Sequence, residues 1–171
     1  MLRHWLWGPL SPLGLGIAAL TAALDQAHKI WMLRVYDIGA KGSVALAPFF
    51  DLVLVWNHGI SYGLLPQESA LGRWGLILFA IAASLALAVW LARLTAPLAA
   101  ASLGLIIGGA IGNAIDRVAY GAVADFFSLH VFGLQWYVFN IADAAIVAGV
   151  VGLLYESLFG GHKKVGNPSK M

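Results

Sequence analysis

Residues 74–92 read WGLILFAIAASLALAVWLA, a 19-residue run without a single charge. A helix needs about 20 mostly apolar residues to cross the hydrocarbon of a bilayer. Backbone N–H and C=O groups find no partner in lipid, so such a run must satisfy them internally, as a helix. A second run, Leu98–Ile115 (LAAASLGLIIGGAIGNAI), has 18 uncharged residues. Arg93-Leu-Thr-Ala-Pro97 between them leaves room only for a tight hairpin.

Outward from this pair, two further segments are apolar but interrupted. Leu13–Leu24 continues past Asp25 and Lys29 to Leu33, and Trp136–Phe159 contains Asn140, Asp143 and Glu156. The chain therefore reads as a membrane all-α protein: a four-transmembrane-helix bundle with spans at about 13–34, 74–94, 97–117 and 138–159. Residues 1–160 form one domain, and 161–171 form a solvated basic tail. The 171 residues are 61% hydrophobic and 11% charged, whereas a soluble domain carries about 25% charged residues. A disordered chain is excluded on the same ground. The net charge of +2 is small and scattered, which argues against nucleic acid as a partner. With no cysteine, disulfides, thiol nucleophiles and Cys-based metal sites are ruled out.

The N-terminus has the basic start of a signal peptide (Arg3, then Trp5-Leu-Trp7), but its apolar run leads into Asp25 and Lys29 without a small-residue cleavage site. It is read as an uncleaved first helix. With both termini inside, the inner face holds Arg3, Arg93, Lys163, Lys164 and Lys170, and the outer face Arg34, Lys41, Arg73 and Arg117. Five against four favours cytoplasmic termini. Between the first two spans, Phe49-Phe-Asp-Leu-Val-Leu-Val-Trp56 reads as a strand. Phe126-Phe-Ser-Leu-His-Val-Phe132, followed by Gly133, reads as a second strand and turn. A small extracytoplasmic β platform is expected on the bundle.

An ionisable side chain at the bilayer centre costs about 2.5–3.5 kcal/mol on insertion scales, so the polar residues near the spans need a reason. Asp25 and Lys29 are one turn apart. Asn113, Asp116 and Arg117 share one face of the third span, and Asn140 and Asp143 one face of the fourth; Asp125 lies between these spans. Four stretches thus deliver polar groups to one membrane level on one side, where a site is expected. Each group also has a plain structural reading. Asp25 and Lys29 form an i,i+4 pair, Asp116 and Arg117 anchor a helix end, and Asp125 is a loop carboxylate. Asp143 resists such a reading, because no basic residue lies within a helical turn of it. Gly104, Gly108 and Gly112, at steps of four, let a neighbouring helix come close.

Weaker constellations remain. Gly59-Ile-Ser-Tyr-Gly63 matches the G-x-S-x-G pattern of a serine nucleophile, with His58 or His130 as base for Ser61. The five histidines lack paired spacing, so no metal site is expected. A proton-coupled transporter relaying protons through Asp25, Asp116 and Asp143 is the main alternative; a passive assembly protein would not need the shared polar level.

In order, the polar stretches are Asp25-Gln26-Ala27-His28-Lys29, Asn57-His58-Gly59-Ile60-Ser61-Tyr62-Gly63, Gly112-Asn113-Ala114-Ile115-Asp116-Arg117, Val123-Ala124-Asp125-Phe126 and Phe139-Asn140-Ile141-Ala142-Asp143. Together, over residues 25 to about 155, they resemble the bacterial lipoprotein signal peptidase family, signal peptidase II. The resemblance implies an aspartyl endopeptidase of the bacterial inner membrane. It would remove the signal peptide of prolipoproteins, cutting before a cysteine that carries diacylglycerol. It implies Asp125 and Asp143 as the catalytic pair, with Asn57, Gly59, Asn113, Asp116, Arg117, Asn140, Asp25 and Lys29 lining or bracing the site. The site would face the periplasm, and the partners would be the prolipoprotein and membrane lipid. A monomer without cofactor or metal is expected. Tyr62 stands where the family usually has Phe. Two carboxylates close together share a proton and so supply an acid and a base at once. Water is then the nucleophile.

Overall fold

The computed structural model of the chain describes residues 6–59, 70–131 and 134–160, with the side chains of 131–136 outside that description. Ser61, Tyr62, Arg3, the side chain of Trp136 and the tail at 161–171 therefore lie outside the described residues.

Helix α1 (Ser11–Arg34) opens with Pro12 in its first turn, where the missing N–H costs nothing. A short helix α2 (Ile38–Lys41) follows, then strands β1 (Val44–Ala47) and β2 (Phe50–Asn57). Helix α3 (Ala70–Leu91) and helix α4 (Pro97–Ala119), the latter again with proline in its first turn, form the expected hairpin. Strands β3 (Val123–Val131) and β4 (Leu134–Phe139) lead into helix α5 (Ile141–Phe159).

Among the described residues, three helices, α3, α4 and α5, are long and apolar enough to cross a membrane by length and composition. This is a membrane protein with three apolar helices and a small antiparallel sheet. Their burial differs: more than half of the apolar stretch of α4 is buried inside the protein, against a small minority of those of α3 and α5. Helix α4 is therefore the central post, and α3 and α5 turn most of their surface outward. Leu78, Phe79, Val147 and Leu158 are among the exposed side chains. In water such a surface would aggregate; in lipid it is the ordinary outer face of a bundle.

The glycines of α4 set how close its neighbours come. A Cβ on Gly108 would run into the Ala18 carbonyl, and one on Gly104 into that of Gly14, so this stripe is where α1 lies against α4. Gly109 meets Ala142 and Ile146 of α5 in the same way. Small residues at a helix crossing let backbones approach, as the sequence spacing predicted.

The sheet has the order β1-β2-β3-β4, antiparallel throughout. Two of these strands, β2 and β3, were expected; β1 and β4 were not. The fourth span was placed at 138–159, but residues 138 and 139 belong to β4 and the helix begins at Ile141. The correction has a local cause: Asn140 is an N-cap whose side chain accepts from Asp143 N, and Asp143 answers the Asn140 N–H, a capping box. Met32, Ile38, Ala124 and Phe126 form a buried cluster that seats the sheet on the end of α1.

Candidate functional site

The buried polar groups meet where α1, α4 and α5 reach the sheet. Lys29, 1% exposed, is held by Asp25 Oδ2 at 2.8 Å, Asp116 Oδ2 at 2.8 Å and Asn113 Oδ1 at 3.2 Å. Its three protons are thereby all used. Asp25 and Asp116 are both fully buried. Asp116 Oδ1 accepts from Gln26 Nε2 at 2.8 Å, and the same amide donates to the Gly112 carbonyl at 3.1 Å.

The remaining carboxylate bonds locate the two other acids. Asp116 Oδ2 accepts the backbone N–H of Ala124 at 3.1 Å, and Asp25 Oδ1 accepts that of Ala142 at 3.0 Å. Each is the residue just before Asp125 and Asp143. The Asp25–Lys29–Asp116 triad thus fixes the backbone beside each aspartate, one at the start of β3 and one in the first turn of α5. Asp25 and Lys29 do form the i,i+4 pair, but its third member comes from α4. Asp116 faces the lysine and does not pair with Arg117.

Asn113 accepts Lys29 and Asn140 through Oδ1, so its amide N–H must point the other way, onto Asp143 Oδ1 at 2.8 Å. Asn140 accepts Asp143 N through Oδ1 at 2.9 Å, and its amide donates to Asp125 Oδ1 at 2.6 Å and to Asn113 at 3.1 Å. Asn57 accepts Gly59 N at 3.0 Å, leaving its amide for Asp125 Oδ2 at 3.3 Å. In each case a backbone N–H or an ammonium fixes the amide's orientation, and its donor end meets an acid. Asn140 touches both aspartates.

Asp125 is 1% exposed. Burial, followed by the charge of nearby Asp143, raises its pKa from the ordinary 3.8 to about 7, against the opposing hydrogen bonds from Asn140 and Asn57. Arg117 donates to the Gly59 carbonyl at 2.9 Å and to the Asn113 carbonyl at 3.3 Å. Its buried Nε has no hydrogen-bond partner among the described residues. A groove of about 390 Å³ runs beside Asp143, lined by Tyr137, Phe139, Ala144, Val147 and Ala148. One acid at the mouth of an apolar groove, with a second linked to it through one asparagine, suits acid–base chemistry on a substrate held in lipid.

Every expected site residue thus falls in this one cluster: Asp25, Lys29, Asn57, Gly59, Asn113, Asp116, Arg117, Asp125, Asn140 and Asp143. Gln26 belongs with them and was missed, although it sits beside Asp25 and three residues before Lys29, on the same helical face. His58 is exposed, and His130 lies 3.2 Å from Asp51 on the sheet. Trp56 is exposed beside Tyr120, with rings 5.5 Å apart.

Gly112 lies directly against the cradle, since a Cβ there would lie 2.6 Å from Asp25 Oδ2. Gly112→Ala is expected to displace Asp25 from Lys29 and to destabilise the protein by about 1–3 kcal/mol, a typical overpacking cost. Unfolding in a denaturing detergent measures it, and Gly16→Ala, where a Cβ meets nothing within 4 Å, is the control.

The family model for signal peptidase (SPase) II matches residues 17–159. A lipoprotein signal peptidase of Methylobacterium sp. (strain 4-46) is 57% identical over 147 residues, 86% of this chain and 89% of that protein. One of Nitrobacter hamburgensis is 56% identical over 154 residues, 86% and 94% of the two chains. A bacterial membrane enzyme solved by the in meso method superposes with a TM-score of 0.76 at 26% identity, over 92% of this chain and 94% of that one.

Proposed function

Because the chain belongs to the signal peptidase II family, we propose that Asp125 and Asp143 are its catalytic pair, acting on a prolipoprotein whose cysteine carries diacylglycerol. The protein is a bacterial membrane protease, and it removes the signal peptides of lipoproteins. The observation that carries the catalytic reading is the Asn140 bridge, which donates to Asp125 and receives the Asp143 N–H.

The pair holds one proton. The ionised carboxylate takes a proton from water as its oxygen attacks the scissile carbonyl, and the protonated one hydrogen-bonds the carbonyl oxygen. The tetrahedral species collapses as a proton reaches the leaving nitrogen. One carboxylic acid and one amine are released, and the pair regains its single proton. Arg117, which lies beside Gly59 and Asn113, holds the substrate backbone, and the Asp143 groove takes its apolar part. Helix α1 is the fourth span, both termini are cytoplasmic, and the site faces the periplasm. The functional unit is a monomer of one domain with a basic tail, and it works without metal or cofactor.

The pH dependence follows from Asp125. Its proton is retained up to about 7, so kcat is expected to fall as pH rises through that value. The stability sign is the same: a carboxyl raised on folding adds stability that is full below its ordinary 3.8 and lost as pH rises through about 7. Asp125→Asn, which cannot ionise, therefore gains stability relative to the native chain between pH 5 and pH 8. A kcat profile on a diacylglyceryl-modified prolipoprotein, with unfolding of both proteins at the two pH values, tests this. A rate still rising above pH 8 contradicts it, and equal cleavage of the unmodified precursor removes the lipid requirement.

A further inference from the structure

We propose that the seam between α3 and α4 holds an anionic phospholipid of the bilayer, with an acyl chain in the seam and the phosphate on Arg73. The seam contains a groove of about 330 Å³ lined only by apolar side chains, among them Ile77, Ala80 and Ile81 of α3 and Ala114, Ile115 and Val118 of α4. That volume lies within the range of small-molecule sites, about 300–1,000 Å³. Ile81 is 47% and Val118 62% exposed, so the groove opens sideways onto the lipid.

Its charged end is set by helical spacing. Arg73 stands one turn before Ile77 on the same face of α3. Its guanidinium lies over the Trp74 ring at 5.8 Å and close to Gly121, where an added Cβ would be 3.1 Å from Nη1. Arg73 Nε is buried and has no hydrogen-bond partner among the described residues. A cation beside an aromatic ring at the end of a purely apolar groove complements a phosphate followed by an acyl chain.

This groove is separate from the one at Asp143. Helix α4 turns Ser102 and Gly109 toward α5 but Ala114, Ile115 and Val118 toward the seam, roughly half a turn around the helix. No residue lines both grooves.

The full chain, reconstituted in vesicles of phosphatidylethanolamine and phosphatidylglycerol, would be photolabelled with a trace of phosphatidylglycerol carrying a diazirine in one acyl chain. Labelled residues are mapped by mass spectrometry. Labelling is expected to concentrate on the α3–α4 groove above the equally lipid-facing Phe79 and Leu154. Arg73→Gln should lower groove labelling about fivefold, the weight of one basic residue at an anionic lipid surface. Ala80→Phe should remove it. Both variants should keep labelling at Leu154 and the cleavage activity. Groove labelling no stronger than at Phe79, or unchanged in Arg73→Gln, overturns the proposal. Displacement of the label by excess prolipoprotein also overturns it, by assigning the groove to the substrate. Should Ala80→Phe fail to accumulate, Arg73→Gln, which keeps a polar side chain at a half-buried position, carries the test.

Discussion

Asp125→Asn and Asp143→Asn are each expected to lower kcat by about 10²–10⁴-fold or more, the contribution of a positioned acid or base. The amide keeps the shape and an acceptor oxygen, so Asn140 still finds an acceptor at position 125 and Asn113 one at position 143. What is lost is the proton-exchanging group and the second acceptor, which takes a long bond from Asn57 at position 125 and from the Asn140 N–H at position 143. Neither acid belongs to the Lys29 triad, so both variants should accumulate and fold. The measurement is turnover on a diacylglyceryl-modified prolipoprotein in detergent, with unfolding recorded in parallel. If either folded variant retains near-normal turnover, the Asp pair is not the catalytic centre, and Ser61 becomes the next nucleophile to test.

Lys29→Met is expected to cost about 3–5 kcal/mol, the range for removing one partner of a buried ion pair. Asp25 and Asp116 would then face one another, fully buried, with no cation between them. Their bonds to Ala142 and Ala124 anchor the backbone beside both acids, so cleavage should fall together with stability. Adding Asp116→Asn to Lys29→Met removes one of the two stranded charges and should restore part of the stability. Loss of cleavage at unchanged stability would instead make Lys29 a participant in the chemistry.

The membrane class, the α3–α4 hairpin, two of the four strands and the polar level were legible in the sequence, because each rests on local signals. Uncharged runs report spans, and β-branched and aromatic runs report strands. One-turn spacings report shared faces. The sequence did not reveal long-range pairings. Asp116 was read with its neighbour Arg117, yet the side chains of consecutive helical residues diverge, and Lys29 of α1 supplies its partner. Strands β1 and β4 are short and take their identity from pairing with β2 and β3. Asn140 was read as one more polar group on a helix face, whereas it stands just outside the helix as its cap. The three-residue spacing to Asp143 already permitted that reading, since the capping box uses the same interval.

The central claim is that Asp125 and Asp143 act as one catalytic unit. Single-turnover cleavage by the native chain, Asp125→Asn, Asp143→Asn and the double variant tests it most directly. Groups that work together are strongly non-additive, so the double variant should be no slower than the slower single one. Losses that multiply in the double variant would contradict the account, because the two acids would then be contributing independently.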